Sequence, residues 1–302
     1  MTIPFIKYSR FCLILSGAIA VVSIVFLVMW GLKPGIDFTG GSLLEVTFDK
    51  TRPALEQVEK TFADLNLKNT IIQKTADKSL IIRTSFLTED QHQLVLRQLR
   101  STFATDNTMR EDRFETIGSS VSTQLRTRAL WAIILVNLGI ILYVAYAFRA
   151  VSRPVASWKY GALAIVALVH DVLLVMGVFA LLGHYFGVEV DIAFVVALLT
   201  VLGYSVNDTI VVYDRVRENL LRHNNENFGD TVNAGLNQTL MRSFNTTMKT
   251  TLPLFALFFF GGMSIHYFVL ALIIGIISGA YSSIFIASPL LVYVEKWQRR
   301  NA

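Results

Sequence analysis

The chain has 302 residues, a formal net charge of +5 and a mean hydropathy of +0.52. Apolar residues make up 53% and charged residues only 16%, against about 25% charged in a typical soluble domain. These values exclude a disordered chain and an ordinary cytosolic enzyme, and the single cysteine, Cys12, excludes an intramolecular disulfide and a multi-cysteine metal site.

Long apolar runs predict a membrane protein with several spans. A helix needs roughly 20 apolar residues to cross a bilayer, and five runs have that length: Phe11–Trp30, Ala129–Phe148, Gly161–Leu182, Ile192–Val212 and Tyr267–Val294. Residues 242–263 are a weaker sixth candidate because their first half is polar, which leaves a soluble interpretation open. Apolar runs on both sides favour a span. The first run is longer than a signal peptide core and no cleavage site follows it, so we expect an uncleaved anchor.

The distribution of Lys and Arg predicts the topology. Residues 32–128 carry 14 basic and 13 acidic side chains, whereas the other cations lie in short loops, at chain ends or in the polar half of the weaker span. By the positive-inside rule both termini are cytoplasmic. We therefore expect a cytoplasmic N-terminus and first span over 1–31, a periplasmic domain over 32–128, and five further spans with cytoplasmic loops over 129–302. The net charge then reflects topology and requires no nucleic-acid partner. The loop cations are Lys7, Arg10, Arg149, Arg153, Lys159, Arg215, Arg217, Arg222, Lys296, Arg299 and Arg300.

The polar domain has the pattern of a small α+β fold. Leu44, Val46 and Phe48 alternate with polar residues, which indicates a half-buried strand. A helix follows from Leu55, and Thr88-Glu89-Asp90-Gln91 is a capping box that opens a second helix. The remaining strands are predicted at Ile71–Ile72, Leu80–Ile82 and Phe114–Ile117, with a hairpin turn at Thr75–Lys78. The order β-α-β-β-α-β predicts a ferredoxin-like domain.

Ionisable residues inside spans are costly and therefore mark candidate functional sites. Asp171 lies in the third span, Asp208 in the fourth, and Arg242 in the polar half of the weaker span. A buried Asp208–Arg242 ion pair could merely lock helices together, or a carboxylate with a mobile partner could bind and release a proton. His170 is either a relay member or a packing residue. Further candidates for the relay or its surroundings are Asn207, Thr209, Thr246, Thr247 and Lys249.

Two small-residue motifs have structural explanations. Gly35-Ile36-Asp37-Phe38-Thr39-Gly40-Gly41 is typical of a tight turn or hinge, and no Gly-Lys-Ser/Thr follows to make a phosphate-binding loop. Small residues at four-residue intervals in the last span indicate close helix packing, within the bundle or against a partner. They are Ala271, Gly275, Gly279, Ser283 and Ala287. We expect no enzyme, since the chain lacks HExxH, an intramembrane Gly-x-Gly-Asp motif and a nucleotide site.

Four features together resemble the SecF family, of the RND transporter superfamily. They are the glycine motif, the His170-Asp171 pair, the stretch from Gly203 to Asn219, and Arg242 before a Thr-rich segment. The resemblance implies a subunit of the Sec protein translocase in the bacterial inner membrane, paired with SecD and associated with the SecYEG channel and often YajC. It implies that the proton-motive force helps to draw unfolded preprotein outward, with protons as coupling ion and no other cofactor, and it puts Asp208 and Arg242 in the proton pathway.

The sequence departs from the family pattern after Arg242, where Ser243 and Lys249 occupy positions that usually hold other residues. An RND-type exporter of lipids or small molecules is the alternative, and a non-transporting scaffold with structural buried charges is a third. Standalone exporters usually carry larger external domains than residues 32–128, which favours the SecF-like interpretation.

Overall fold

The computed structural model describes residues 3–50, 52–64, 67, 70–74, 78–103, 108–147, 156–222 and 227–301. It divides into a helical unit, Met1–Lys33 with Trp131–Ala302, and a sheet unit, Pro34–Leu130. The loop cations Arg149 and Arg153 and residues 75–77 of the predicted hairpin turn lie outside the described residues.

The elements follow one another along the chain as helices and strands with short connections. Their bounds are α1 (Phe5–Met29), α2 (Ile36–Thr39), β1 (Gly41–Phe48), α3 (Leu55–Asp64), β2 (Ile71–Lys74), β3 (Ser79–Thr84), α4 (Glu89–Phe103), β4 (Met109–Ile117), α5 (Ser119–Ala147), α6 (Ser157–Phe186), α7 (Ile192–Arg222), α8 (Phe228–Phe260), α9 (Met263–Ser282), a π-helical segment (Ser283–Ala287) and α10 (Ser288–Asn301).

The sheet unit is built on a four-stranded antiparallel sheet in the order β2-β3-β1-β4. The predicted alternation in β1 is confirmed, because Leu44, Val46 and Phe48 are almost fully buried. They share a core with Val58 of α3 and Leu99 of α4. Side chains alternate between the two faces of a strand, so β1 covers the core with every second residue.

The capping box at the start of α4 is also confirmed. The Thr88 backbone N–H donates to Gln91 Oε1 at 3.0 Å, and the Gln91 N–H donates to Thr88 Oγ1 at 3.5 Å. These two bonds satisfy backbone donors that the first helical turn leaves unpaired, and they fix where α4 begins.

The glycine motif forms one helical turn, α2, followed by two residues that require glycine. Gly40 and Gly41 have φ angles of +73° and +119°, which other residues rarely adopt. A Cβ on Gly41 would lie 2.6 Å from the carbonyl oxygen of Thr84. The paired glycines therefore let the chain reverse and enter β1 against β3.

Among the residues that the structure describes, five helices are long and apolar enough to cross a membrane. They are Phe5–Met29, Ser119–Ala147, Trp158–Phe186, Ile192–Arg222 and the combined helix Ser264–Arg300. Each contains most or all of one of the five long apolar runs. The weaker run at 242–263 lies in α8, a 33-residue helix that includes Pro253 and is not among the five.

The small-residue stripe of α9 packs against α7 within this chain. A Cβ on Gly275 would lie 2.2 Å from Val201 Cγ2, and one on Gly279 would lie 2.8 Å from Ser205 Cβ. Glycine thus brings the two backbones together, as small residues do in membrane bundles. The packing alternative within the bundle therefore explains both glycines.

The combined helix of α9 and α10 is interrupted at Ser283–Ala287 by the π-helical segment. Ser288 Oγ donates to the carbonyl oxygen of Ser283 at 2.8 Å, and Tyr213 of α7 donates its hydroxyl to the carbonyl oxygen of Ala287 at 3.1 Å. Side chains thus bond carbonyl groups at both ends of the segment. Segments of this kind are frequent at functional sites.

Candidate functional site: two buried carboxylates held by serines

Two aspartates are buried in the middle of neighbouring helices of the helical unit. Asp171 lies near the midpoint of α6 with none of its surface exposed, and Asp208 lies near the midpoint of α7 with 7% exposed. A buried carboxylate is costly unless it is hydrogen-bonded or paired with a cation. The partners of these two groups therefore decide what the site can do.

Asp171 is held by hydroxyl groups from two other helices. Its Oδ1 accepts a hydrogen bond from Ser278 Oγ at 2.6 Å. Its Oδ2 accepts from Ser205 Oγ and from Ser282 Oγ, both at 2.7 Å. Ser205 belongs to α7, whereas Ser278 and Ser282 lie one turn apart on α9. The carboxylate thus ties α6 to both helices.

His170 adds an imidazole to the Asp171 carboxylate. Its Nδ1 lies 3.2 Å from Asp171 Oδ1. The ring is buried, and its Nε2 has no hydrogen-bond partner among the described residues. One ring nitrogen therefore contacts the acid while the other is left open.

Asp208 is held by serines of α8 and of the π-helical segment. Its Oδ1 accepts from Ser243 Oγ at 2.8 Å, and its Oδ2 accepts from Ser283 Oγ at 2.6 Å. A serine hydroxyl can donate to an ionised carboxylate or accept from a protonated one. Asp208 can therefore exist in either protonation state with the same arrangement of heavy atoms.

The two carboxylates share supporting elements. Ser282 binds Asp171 and the next residue, Ser283, binds Asp208. On α7, Ser205 binds Asp171 and precedes Asp208 by one turn. Any change of register at the start of the π-helical segment must therefore act on both carboxylates.

The hypothetical ion pair between Asp208 and Arg242 is not formed in this structure. The Arg242 side chain is exposed on α8, and it is the next residue, Ser243, that binds Asp208. With 3.6 residues per turn, successive side chains of a helix project about 100° apart. When Ser243 faces α7, Arg242 must therefore point elsewhere.

Several other predicted residues share this exposure. Asn207, Thr246 and Lys249 are exposed, while Thr209 is buried and donates to the Ser205 carbonyl oxygen at 3.1 Å. Thr247 is buried, and its hydroxyl has no partner among the described residues. Exposed small and polar residues repeat at helical spacing on both α7 and α8, and we call these two rows the polar stripes. They are Thr200, Gly203 and Asn207 on α7 and Gln238, Arg242, Asn245, Thr246 and Lys249 on α8.

Comparisons with known proteins bear on this arrangement. Residues 98–297 match the family described as protein export membrane protein SecD/SecF, C-terminal, and residues 25–51 match the SecD/SecF GG motif. This chain belongs to the SecD/SecF family of protein export membrane proteins. The first match includes both buried aspartates and every serine that binds them, and the second includes the paired glycines.

Individual members of the SecD/SecF family resemble the chain over nearly its whole length. The protein translocase subunit SecF of Thermobaculum terrenum is 44% identical over 299 residues, covering 95% of this chain and 92% of the relative. The crystal structure of SecDF from Thermus thermophilus matches with a TM-score of 0.83 and 30% identity, and it covers 98% of this chain but 39% of the longer one. A SecDF structure in a super-membrane-facing form matches with a TM-score of 0.70 and 29% identity, covering 100% of this chain and 40% of that one.

Sequence reasoning about this SecD/SecF family member missed most of the hydroxyl donors. Ser205, Ser278 and Ser282 were not predicted as site residues, and Ser283 was assigned to helix packing. A usable signal exists, because Ser278 and Ser282 lie one turn apart in an apolar run and border the glycine stripe. A buried carboxylate requires donors, and serines beside a close helix contact are the groups that can reach it.

Proposed function

We propose that this chain works as a SecF subunit of the Sec protein translocase and assists export of preproteins with energy from the proton gradient. The observation that carries the proposal is the buried Asp208, which only hydroxyl groups hold in the part of the chain that the structure describes. The two helices that supply Asp208 and Ser243 also expose the polar stripes. A carboxylate in this setting can bind a proton. Inside a membrane the polar stripes must contact another protein or water, because contact with lipid is costly for polar groups.

The chain is proposed to span the bacterial inner membrane six times, with α8 as the remaining span beside the five long apolar helices. Large apolar side chains on the helical unit are exposed, among them Ile14 at 73%, Val28 at 80% and Phe260 at 90%, which fits contact with lipid. Both termini are placed in the cytoplasm and the sheet unit in the periplasm. The antiparallel strand order β2-β3-β1-β4 supports its assignment as a ferredoxin-like domain.

SecD is the proposed partner that covers the polar stripes. Charged side chains in membrane helices face the bundle interior or a water-filled cavity, because lipid exposure is costly. Arg242 and Lys249 lie uncovered in this chain alone, so a second membrane protein with acidic or polar groups would complete their surroundings. The assembly is further proposed to contact the SecYEG channel, with YajC as an accessory, and to act on unfolded preprotein.

Asp208 is proposed to take and release the transported proton, with Arg242 acting from the side that faces the partner. Moving one charge through 100 mV supplies about 2.3 kcal/mol, enough to bias a two-state arrangement of helices. The π-helical segment is a candidate for such an element, since it carries one of the two hydroxyls bound to Asp208.

The test replaces Asp208 by asparagine in the complete translocase. We expect Asp208→Asn to abolish the proton-dependent stimulation of export at normal protein levels. Asp214→Asn is the matched control, because Asp214 lies on the same helix but is exposed near its end, and it should retain stimulation. Unchanged export in Asp208→Asn would refute the proposed proton role. Failure to copurify SecD from native membranes would refute the assembly.

A further inference from the structure

Asp171 is the more deeply buried of the two carboxylates, and the proposed role of Asp208 does not use it. Three serine hydroxyls from α7 and α9 and the imidazole of His170 surround its two oxygens. A residue needed only to hold helices together would be served at lower cost by an apolar or neutral side chain. The buried acid therefore calls for a chemical explanation.

The groups that contact the Asp171 carboxylate lie on α7, on α9 and on its own helix. Ser205 of α7 and Ser278 and Ser282 of α9 are neutral donors, and the titratable groups close by are His170 on the same helix and Tyr281 on α9, whose ring centroid lies 6.5 Å from that of His170. His170 is also the sole basic partner of Asp171 among the described residues. Protonation of Asp171 would therefore leave no fixed cation unpaired.

His170 has the connections that a proton carrier needs. With Asp171 ionised, the hydrogen on the imidazole lies on Nδ1, which leaves Nε2 with a free lone pair. This Nε2 is buried and has no partner among the described residues. A buried nitrogen without a hydrogen bond is normally destabilising, so its presence beside a carboxylate is a second, independent sign of a site for a proton.

We propose that His170 and Asp171 form a second proton-binding site, coupled to Asp208 through the neighbouring serines Ser282 and Ser283. The proposal rests on the proton-driven function above and extends it to a second carboxylate. A proton bound at Nε2 makes the ring an imidazolium. The Nδ1–H bond then breaks as an O–H bond forms on Asp171 Oδ1, which leaves a neutral ring with its hydrogen on Nε2 and a neutral acid.

The test follows carboxyl protonation in the purified full chain by infrared spectroscopy with isotope-labelled aspartate, as a function of pH. We expect Asp171→Asn and Asp208→Asn to remove separate components of the titrating carboxyl signal. Ser282→Ala should change the Asp171 component and, through the shared segment, alter the Asp208 component. Ser9→Ala is the control, because Ser9 is buried in the same unit and its hydroxyl lies 3.2 Å from that of Tyr293 rather than next to a carboxylate.

A titrating signal that is identical in wild type and Asp171→Asn would overturn the proposal. If Asp171→Asn fails to fold, Asp171→Glu keeps the acid, and its signal must still titrate at a displaced band position. His170→Gln separates a proton carrier from a packing residue, since it keeps a donor to Asp171 but should slow proton exchange. The proposed function is judged separately. If Asp208→Asn loses the stimulation of export but Asp171→Asn leaves the titrating carboxyl signal unchanged, this inference is refuted and the proposed function is not.

Discussion

Replacing Gly279 by alanine tests whether α7 and α9 must touch for the buried carboxylates to keep their hydroxyl partners. The new Cβ would lie 2.8 Å from Ser205 Cβ and 3.1 Å from Ser205 Cα. Because these atoms belong to or adjoin the main chain, they cannot rotate aside and α7 must shift. Ser205 Oγ donates to Asp171 at 2.7 Å, so the shift lengthens that hydrogen bond.

The expected change in stability follows from three contributions. An overpacked core site loses about 1–3 kcal/mol, and a broken hydrogen bond to a charged group loses roughly 1.5–3 kcal/mol. Alanine in place of glycine within a helix returns up to about 1 kcal/mol. With the full gain from alanine, we therefore expect Gly279→Ala to lower the free energy of unfolding by roughly 1.5–5 kcal/mol when the Ser205–Asp171 bond is lost.

Thermal unfolding of the full chain in detergent measures this effect. A thiol-reactive dye can report unfolding through Cys12, the only cysteine of the sequence. Gly139→Ala is the matched control, because no atom lies within 4 Å of the Cβ position on that helical glycine, and it should be neutral or slightly stabilising. Equal unfolding midpoints for the two variants would refute the argument that contact between the helices holds the site.

Three further predictions concern the sheet unit and the polar stripes. Gly41→Ala should destabilise the start of β1, because a Cβ would lie 2.6 Å from a carbonyl oxygen at a φ of +119°, and faster hydrogen exchange in β1 checks this. Burial, with a smaller contribution from Asp112, raises the pKa of Glu45 in the folded state above its value in the unfolded state. The protonated carboxyl therefore favours folding, and this contribution to stability is lost as the pH rises through the raised pKa. Glu45→Gln should therefore slow exchange in β1 at pH 7 relative to wild type, and the difference should vanish as the pH falls towards the ordinary value of 4.5; a constant difference at all pH values would contradict this. Gly203→Leu should leave the unfolding midpoint of the isolated chain unchanged or slightly raised, since nothing lies within 4 Å of its Cβ position and leucine favours a helix more than glycine does. It should weaken copurification of SecD, whereas Gly139→Leu should not.

Local patterns predicted the buried face of β1 and the start of α4, but they predicted only the second half of β4, which begins at Met109. The burial of Leu44, Val46 and Phe48 and the two bonds of the capping box depend on neighbours in sequence. Such features follow from strand and helix periodicity alone. The five long apolar helices are equally local features, because length and hydropathy suffice to identify them.

The site was predicted only in part, because its geometry depends on contacts between distant segments. Asp171 and Asp208 stand out in apolar runs, but their serine partners lie 34 to 111 residues away along the chain. Opposite charge made Arg242 the expected partner of Asp208. The rotation of α8 presents Ser243 instead, because Ser243 continues the buried face of that helix and Arg242 does not.

A carboxylate held by serines suits proton binding better than a carboxylate held by a fixed cation. If Arg242 were buried against Asp208, protonation of the acid would leave an unpaired buried charge, and breaking such a pair typically costs 3–5 kcal/mol. With Ser243 and Ser283 as partners, the neutral acid keeps both contacts, since a hydroxyl accepts as readily as it donates. Exposure of Arg242 on the polar stripe of α8 is therefore consistent with a role in the proton pathway. Under the proposed function, the cation would act on the site during part of a cycle without holding Asp208 permanently in its ionised form.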